Sequence, residues 1–166
     1  QAQFLEHFRS LYTSEVVGRL SGHPEIVVAH AYVAFPSGIP LPATFTMKLA
    51  SSMEEAGASA KALLYSPWPF PWREETGGLR DEFQRDAWKN LPEEDPYYRV
   101  ATYQGQPALR YATADIMRAE CVNCHNTHAL TPRKGWVEGD MRGVLEIVYP
   151  LADFNREASS RRRKVA

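Results

Sequence analysis

Residues 97–114 read YYRVATYQGQPALRYATA, and this stretch decides the fold. Tyr97 to Tyr103 and Ala108 to Ala114 are rich in aromatic and β-branched residues. Gln104-Gly105-Gln106-Pro107 lies between them, so the pair reads as a β-hairpin. Arg142 to Tyr149 (RGVLEIVY) is a further strand that Pro150 ends, and Ala62 to Ser66 (ALLYS) is a shorter one. Working outward, the order is helix, strand, helix, strand, helix, then three antiparallel strands with an insertion before the last. That is an α+β pattern with a short antiparallel sheet flanked by helices.

The insertion carries Cys121-Val122-Asn123-Cys124-His125, and these are the only two cysteines in the chain. CxxCH is the attachment signature of a c-type haem. Each thiol can add to one porphyrin vinyl group, the two-residue gap keeps both sulfurs on one side of a turn, and the adjacent imidazole faces the iron. Two other chemistries use a CxxC pair: a redox dithiol and half of a zinc site. Zinc would need two more ligands, from His128 and a distant residue.

The remaining chain supplies the flanks. Gln3 to Leu20 places Phe4, Phe8, Leu11, Val16 and Leu20 near one helical face. Gly22-His23-Pro24 then breaks the pattern. Glu25 to Phe35 reads as a strand, and Pro36, Pro40 and Pro42 forbid regular helix just after it. Helix resumes over Ala43 to Ala58 and again over Leu79 to Leu91. Between them, residues 67–73 (PWPFPWR) alternate three prolines with three aromatics, a stiff loop able to wall a planar cofactor. Leu151 to Arg163 reads as an exiting helix ending in the basic run Arg161 to Lys164. The expected division is 1–24 for the N-terminal helix, 25–151 for the domain and 152–166 for the exiting helix and tail.

The chain has 166 residues with 44% apolar content, enough for one domain with a sizeable core. Its net charge of −1 gives no basic face for nucleic acid. No apolar run approaches the ~18 residues of a membrane span. The basic tail reads either as a solvated end or as a juxtamembrane anchor to a tether beyond it.

In combination, IPLPATFT (39–46), LYSPWPFPWR (64–73), YYRVATYQGQPALRYATADIM (97–117), CVNCHNTH (121–128) and GDMRGVLEIVYPL (139–151) resemble a bacterial family of c-type haem sensor domains with a PAS-like fold. The resemblance runs from about Leu11 to Leu151. It implies a PAS-like sheet and a sensing role, since members stand alone or precede cyclases, histidine kinases and chemoreceptors. The CxxCH motif points to a periplasmic or other extracytoplasmic location, where haem is attached to thiols. The expected partners are a small gas or a redox partner and a fused or associated output domain, with a homodimer allowed by the terminal helices.

Cys121 and Cys124 are the expected thioether residues and His125 the proximal iron ligand. For the other face of the iron, His30 is the first candidate, because the resemblance places a histidine-x-tyrosine here that His30 and Tyr32 match. Met53 and Met47 are the alternatives, with plain core as the competing role for both. Met117 is expected at the porphyrin edge, and His7 and His23 in solvent. His128 is expected to hydrogen-bond near the haem. Arg73, Arg110 and Arg142 are candidates for pairing with haem propionates, and Trp72, Trp68, Tyr65 and Tyr111 for the pocket wall. The leading function is a haem c sensor of redox state or of NO, CO or O2. An electron-transfer cytochrome is the alternative, and no catalysis is expected, because no distal acid/base constellation is visible.

Overall fold

A computed structural model describes residues 1–152. The exiting helix and basic run expected beyond Ala152 lie outside the described residues. The chain forms α1 (Ala2–Tyr12), β1 (Val27–Ala29), β2 (Gly38–Pro40), α2 (Pro42–Glu55), β3 (Lys61–Tyr65), α3 (Glu82–Asn90), β4 (Tyr97–Tyr103), β5 (Gln106–Ile116), α4 (Ala119–Thr127) and β6 (Met141–Pro150). The main sheet has the order β3-β6-β5-β4 and is antiparallel throughout. It is a PAS-like sheet with helices on both faces, and α4 occupies the expected insertion between β5 and β6.

The hairpin forms as read. Gln104 (φ 48°) and Gly105 (φ 78°) are both left-handed, the backbone of a two-residue hairpin turn whose twist suits its strands. β6 is one of the two inner strands, buried from Gly143 to Val148. Its side chains alternate between the two cores, as the pleat requires. Leu145 and Ile147 meet Ala62 and Leu64 of β3 and Ala2, Leu5 and Ala50 of α1 and α2. Val144 meets Tyr65 and Ala112, against Phe83, Ala87 and Leu91 in and just beyond α3. The N-terminal helix thus shares its core with the sheet, and the Tyr12 hydroxyl donates to the Pro40 carbonyl at 2.9 Å.

After Tyr12 the helix widens into a looser turn over Thr13–Val17 before Gly18–Leu20 closes it. The Thr13 hydroxyl donates to the Arg9 carbonyl at 2.7 Å. Such back-bonding competes with the regular helical ladder. The strand expected over Glu25 to Phe35 is shorter than its composition suggests. It ends at Ala29, because Tyr32–Ala34 coils tightly and returns the chain so that β2 pairs parallel with β1. His30 therefore sits in a turn.

Asp81 begins α3. One carboxylate oxygen accepts from the Gln84 amide at 2.9 Å, satisfying a free N–H of the first turn. The other accepts from Arg110 Nη1 at 2.7 Å. Arg110 is 1% exposed, and its Nε and Nη2 donate to Glu146, itself 0% exposed, at 2.6 and 3.1 Å. The guanidinium also lies 4.3 Å from the centroid of the Phe83 ring. This ion pair pins β5 to β6 and α3 to both. Removing one partner strands the other charge in a dry core, at a cost of about 3–5 kcal/mol. Arg110→Ala should lower unfolding stability by that order in a urea titration. Arg110→Met with Glu146→Leu should recover most of the loss, because the paired change leaves no buried charge.

Candidate haem site

α4 begins after Arg118 without a side-chain cap and ends at His128. Cys121, Cys124 and His125 fall within about 100° of arc on this helix, and His128 within the same arc. Both thiols are free, Cys121 half-buried and Cys124 exposed. None of the α4 residues is fully buried, so the helix is held from its ends and its loop. At its start, Met117 is fully buried; its amide donates to the Asp140 carbonyl at 2.8 Å and its carbonyl accepts from the Gly139 amide at 2.9 Å. At its end, Asn126 donates to the Trp136 carbonyl at 2.8 Å and accepts from the Trp136 amide at 2.9 Å. The Thr131 hydroxyl donates to the His125 carbonyl at 2.7 Å. The Arg133 guanidinium, 4.2 Å from the Trp68 ring and 4.0 Å from the Trp136 ring, ties this loop to the proline-aromatic segment.

That segment walls the motif. Phe70 lies 5.4 Å from His125 and 5.3 Å from His128, between ring centroids, and Trp72 lies 5.5 Å from His128. Phe70 and Trp72 stack at 4.6 Å. His30 stacks on Trp72 at 4.2 Å with its plane only 3° off. His30 is therefore brought into the same aromatic column, but Phe70 and Trp72 stand between it and His125. Met47 and Met53 are not brought to the motif. Met47 packs against the core between α1, α2 and the sheet, and Met53 borders a small cavity there with Leu5, Ala50 and Ile147. His128 keeps its backbone role as helix end and also accepts from the Leu130 amide at 3.1 Å.

Of the three propionate candidates, Arg110 is not brought to the motif: each of its three nitrogens donates within the α3 side of the sheet, to Glu146, Asp81 and the Thr102 carbonyl. The period-2 position that buries Arg110 beside Ala112 is what removes it from the motif. Tyr65 belongs to that core too, and Tyr111 packs on the opposite one. Arg73 donates to the Leu64 carbonyl at 2.7 Å, and burial followed by the nearby Arg142 charge lowers its pKa. Arg142 is at the centre of the site. It sits where the β5–β6 register slips at Asp115/Ile116, opposite to no residue of β5. A side chain at Gly143 would lie 2.7 Å from the Tyr65 carbonyl, so only glycine permits this close passage. Arg142 Nε points to His125 Nδ1 at 3.4 Å, and its Nη1 donates to Asp115 at 2.9 Å. Arg9, from α1, grips the same carboxylate through both Nη atoms.

The electrostatics follow. Burial alone would raise the Asp115 carboxyl, but Arg9 and Arg142 outweigh it and hold its pKa below the usual aspartate range. Burial, and then the Arg142 charge, push the His125 pKa down to about 3, so its imidazole is neutral near pH 7. Burial and the adjacent Cys121 raise the Cys124 thiol. A catalytic dithiol needs the opposite shift. Among the described residues, no group of three or more His, Cys, Asp or Glu side chains converges to hold a metal ion, which leaves a closed zinc site without its ligands. The donor set fits haem instead: two thiols and a neutral imidazole on one helical face, flat aromatic walls, and arginines at the margin.

Sequence reading missed Arg9, Asp115 and Asn126. The ladder YATAD at the end of the strand carried the one signal, an acid where an apolar residue would be expected.

Fold and site together define the chain as a PAS-like α+β domain with a CxxCH helix inserted before its last strand. It belongs to the Tll0287-like family, which matches residues 2–150. Among solved structures it is similar to the cyanobacterial heme-protein Tll0287, with 15% identity, a TM-score of 0.60 and 89% of each chain covered, a likeness in fold. Comparison with curated proteins finds no match.

Two outcomes test this geometry. Asp115 stabilises the fold fully above the ordinary aspartate pKa of ~3.9, and that contribution is lost as pH falls through its depressed folded value. Asp115→Asn should therefore lower stability at pH 7 and flatten the acid limb of a stability–pH curve. Asn126→Ala leaves a buried loop amide and carbonyl unpaired, at about 1–3 kcal/mol, and hydrogen exchange should quicken at residues 131–139.

Proposed function

We propose that this domain binds haem covalently, as a c-type cytochrome domain, and works as an extracytoplasmic sensor. The observation that carries the reading is the shared face of α4, where Cys121, Cys124 and His125 fall within one arc and His125 lies against Phe70, itself stacked on Trp72. Membership of a family whose namesake is a heme-protein supports it. When bound, haem would supply a redox-active iron. Cys121 and Cys124 would anchor it, His125 would offer a neutral imidazole, and Phe70 and Trp72 would wall it.

Sensing of redox state or a small gas (NO, CO or O2) is favoured over plain electron transfer. A stable electron carrier would need a second strong iron ligand besides His125. Here His30 is two rings removed from His125, while Met47 and Met53 pack between α1, α2 and the sheet rather than against the motif. α1, packed directly on β6, is the element through which a change at the site reaches the rest of a longer protein, such as a cyclase, kinase or chemoreceptor output domain.

Expression with haem-maturation machinery should give a red protein whose haem stays with the polypeptide on a denaturing gel. Cys121→Ala with Cys124→Ala should abolish that retention, and His125→Ala should alter the ferrous spectrum. CO or NO should then perturb the ferrous wild-type spectrum. A spectrum unmoved by either gas, with no redox-linked change in α1, would favour the electron carrier, and a colourless mature protein would end the haem account.

A further inference from the structure

The arginines at the margin of the site are more numerous than the acids they serve. A small cleft of about 60 Å³, open to solvent, lies between α1, the start of α2 and the start of α4. Arg9, Asp115, Arg142 and Cys121 line it, with Pro42 and Ala43 opposite. Its charged lining is completed by Arg118 and Glu120, giving three arginines against two acids and a net charge of +1. Asp115 is a single carboxylate held by two guanidiniums. The Arg9 and Arg142 side chains keep 15% and 17% exposure, whereas Asp115 keeps 6%. The anion is sealed, while its cations still reach the cleft. Each guanidinium has five N–H donors, and neither spends all of them on Asp115.

We propose that Arg9 and Arg142 together take a haem propionate in this cleft, so that Asp115 and the propionate share one pair of arginines. This rests on the haem reading above and deepens it. The fit is chemical: a carboxylate is the group guanidiniums bind best, and one added negative charge neutralises the cleft. The consequence is mechanical. Arg9 belongs to α1 and Arg142 to β6 beside His125, so the propionate, the sheet and the N-terminal helix meet at one ionic joint. Arg9 and Arg142 are positioning residues for the cofactor, not ligands of the iron.

The test uses the haem-loaded protein, with haem content fixed by pyridine haemochrome absorbance. Arg9→Gln and Arg142→Gln should shift the propionate bending bands in resonance Raman spectra. They should also lower the midpoint potential, because a lost cation favours the ferric state. Arg9→Lys should restore the potential in part and the Raman bands less. Arg99→Gln, which removes a surface arginine paired with Asp86, should change neither. Should an arginine variant not fold, Asp115→Asn serves: it frees both arginines for the propionate and should move the bands in the opposite sense. Wild-type bands and potential in folded Arg9, Arg142 and Asp115 variants of normal haem content would overturn the proposal while leaving haem binding intact. A wild-type protein that matures without haem would overturn both.

Discussion

Asp115 is the point on which the site depends. It is the last residue of β5 in regular register with β6, and the bulge that follows lets Arg142 swing toward it. A carboxylate this buried persists as an anion only because Arg9 and Arg142 face it. The same contact joins three elements distant in sequence: the N-terminal helix, the strand before the motif and the strand after it. Breaking it would free α1 from the sheet at the place where α4 begins.

The two sides of the sheet use charge differently. On the α3 side, Arg110 and Glu146 are sealed and mutually satisfied, with Asp81 completing the shell. Such a pair specifies register and leaves nothing for a ligand. On the α1 side, Arg9 and Arg142 share one acid beside an open cleft. Both clusters hold strands and helices together, but only the second can accept another anion. The aromatic column from His30 through Trp72 and Phe70 to His125 makes the opposite margin apolar and flat.

How α4 is held also bears on function. It contributes no fully buried residue, so its position is set by Met117 at one end and by Asn126, Trp136 and Arg133 at the other. A helix secured at its ends can move as a unit when its exposed face gains or loses contacts. Those end contacts are themselves linked to the proline-aromatic loop through Trp68.

The sequence by itself determined the α+β class, the hairpin, the insertion point and the CxxCH motif. These are local: strand alternation, a glycine turn and a two-residue cysteine spacing act over a few residues. Only the tertiary structure decided which arginines serve the site. Arg110 and Arg142 look alike in a strand, yet one faces the α3 core, and the other stands at a bulge beside His125. Arg9 is more than a hundred residues from Asp115, and His30 and the methionines could be placed only once the turn at Tyr32 and the packing of α2 were fixed. Side-chain partnership across distant elements depends on register and packing, and neither is written in any short stretch of chain.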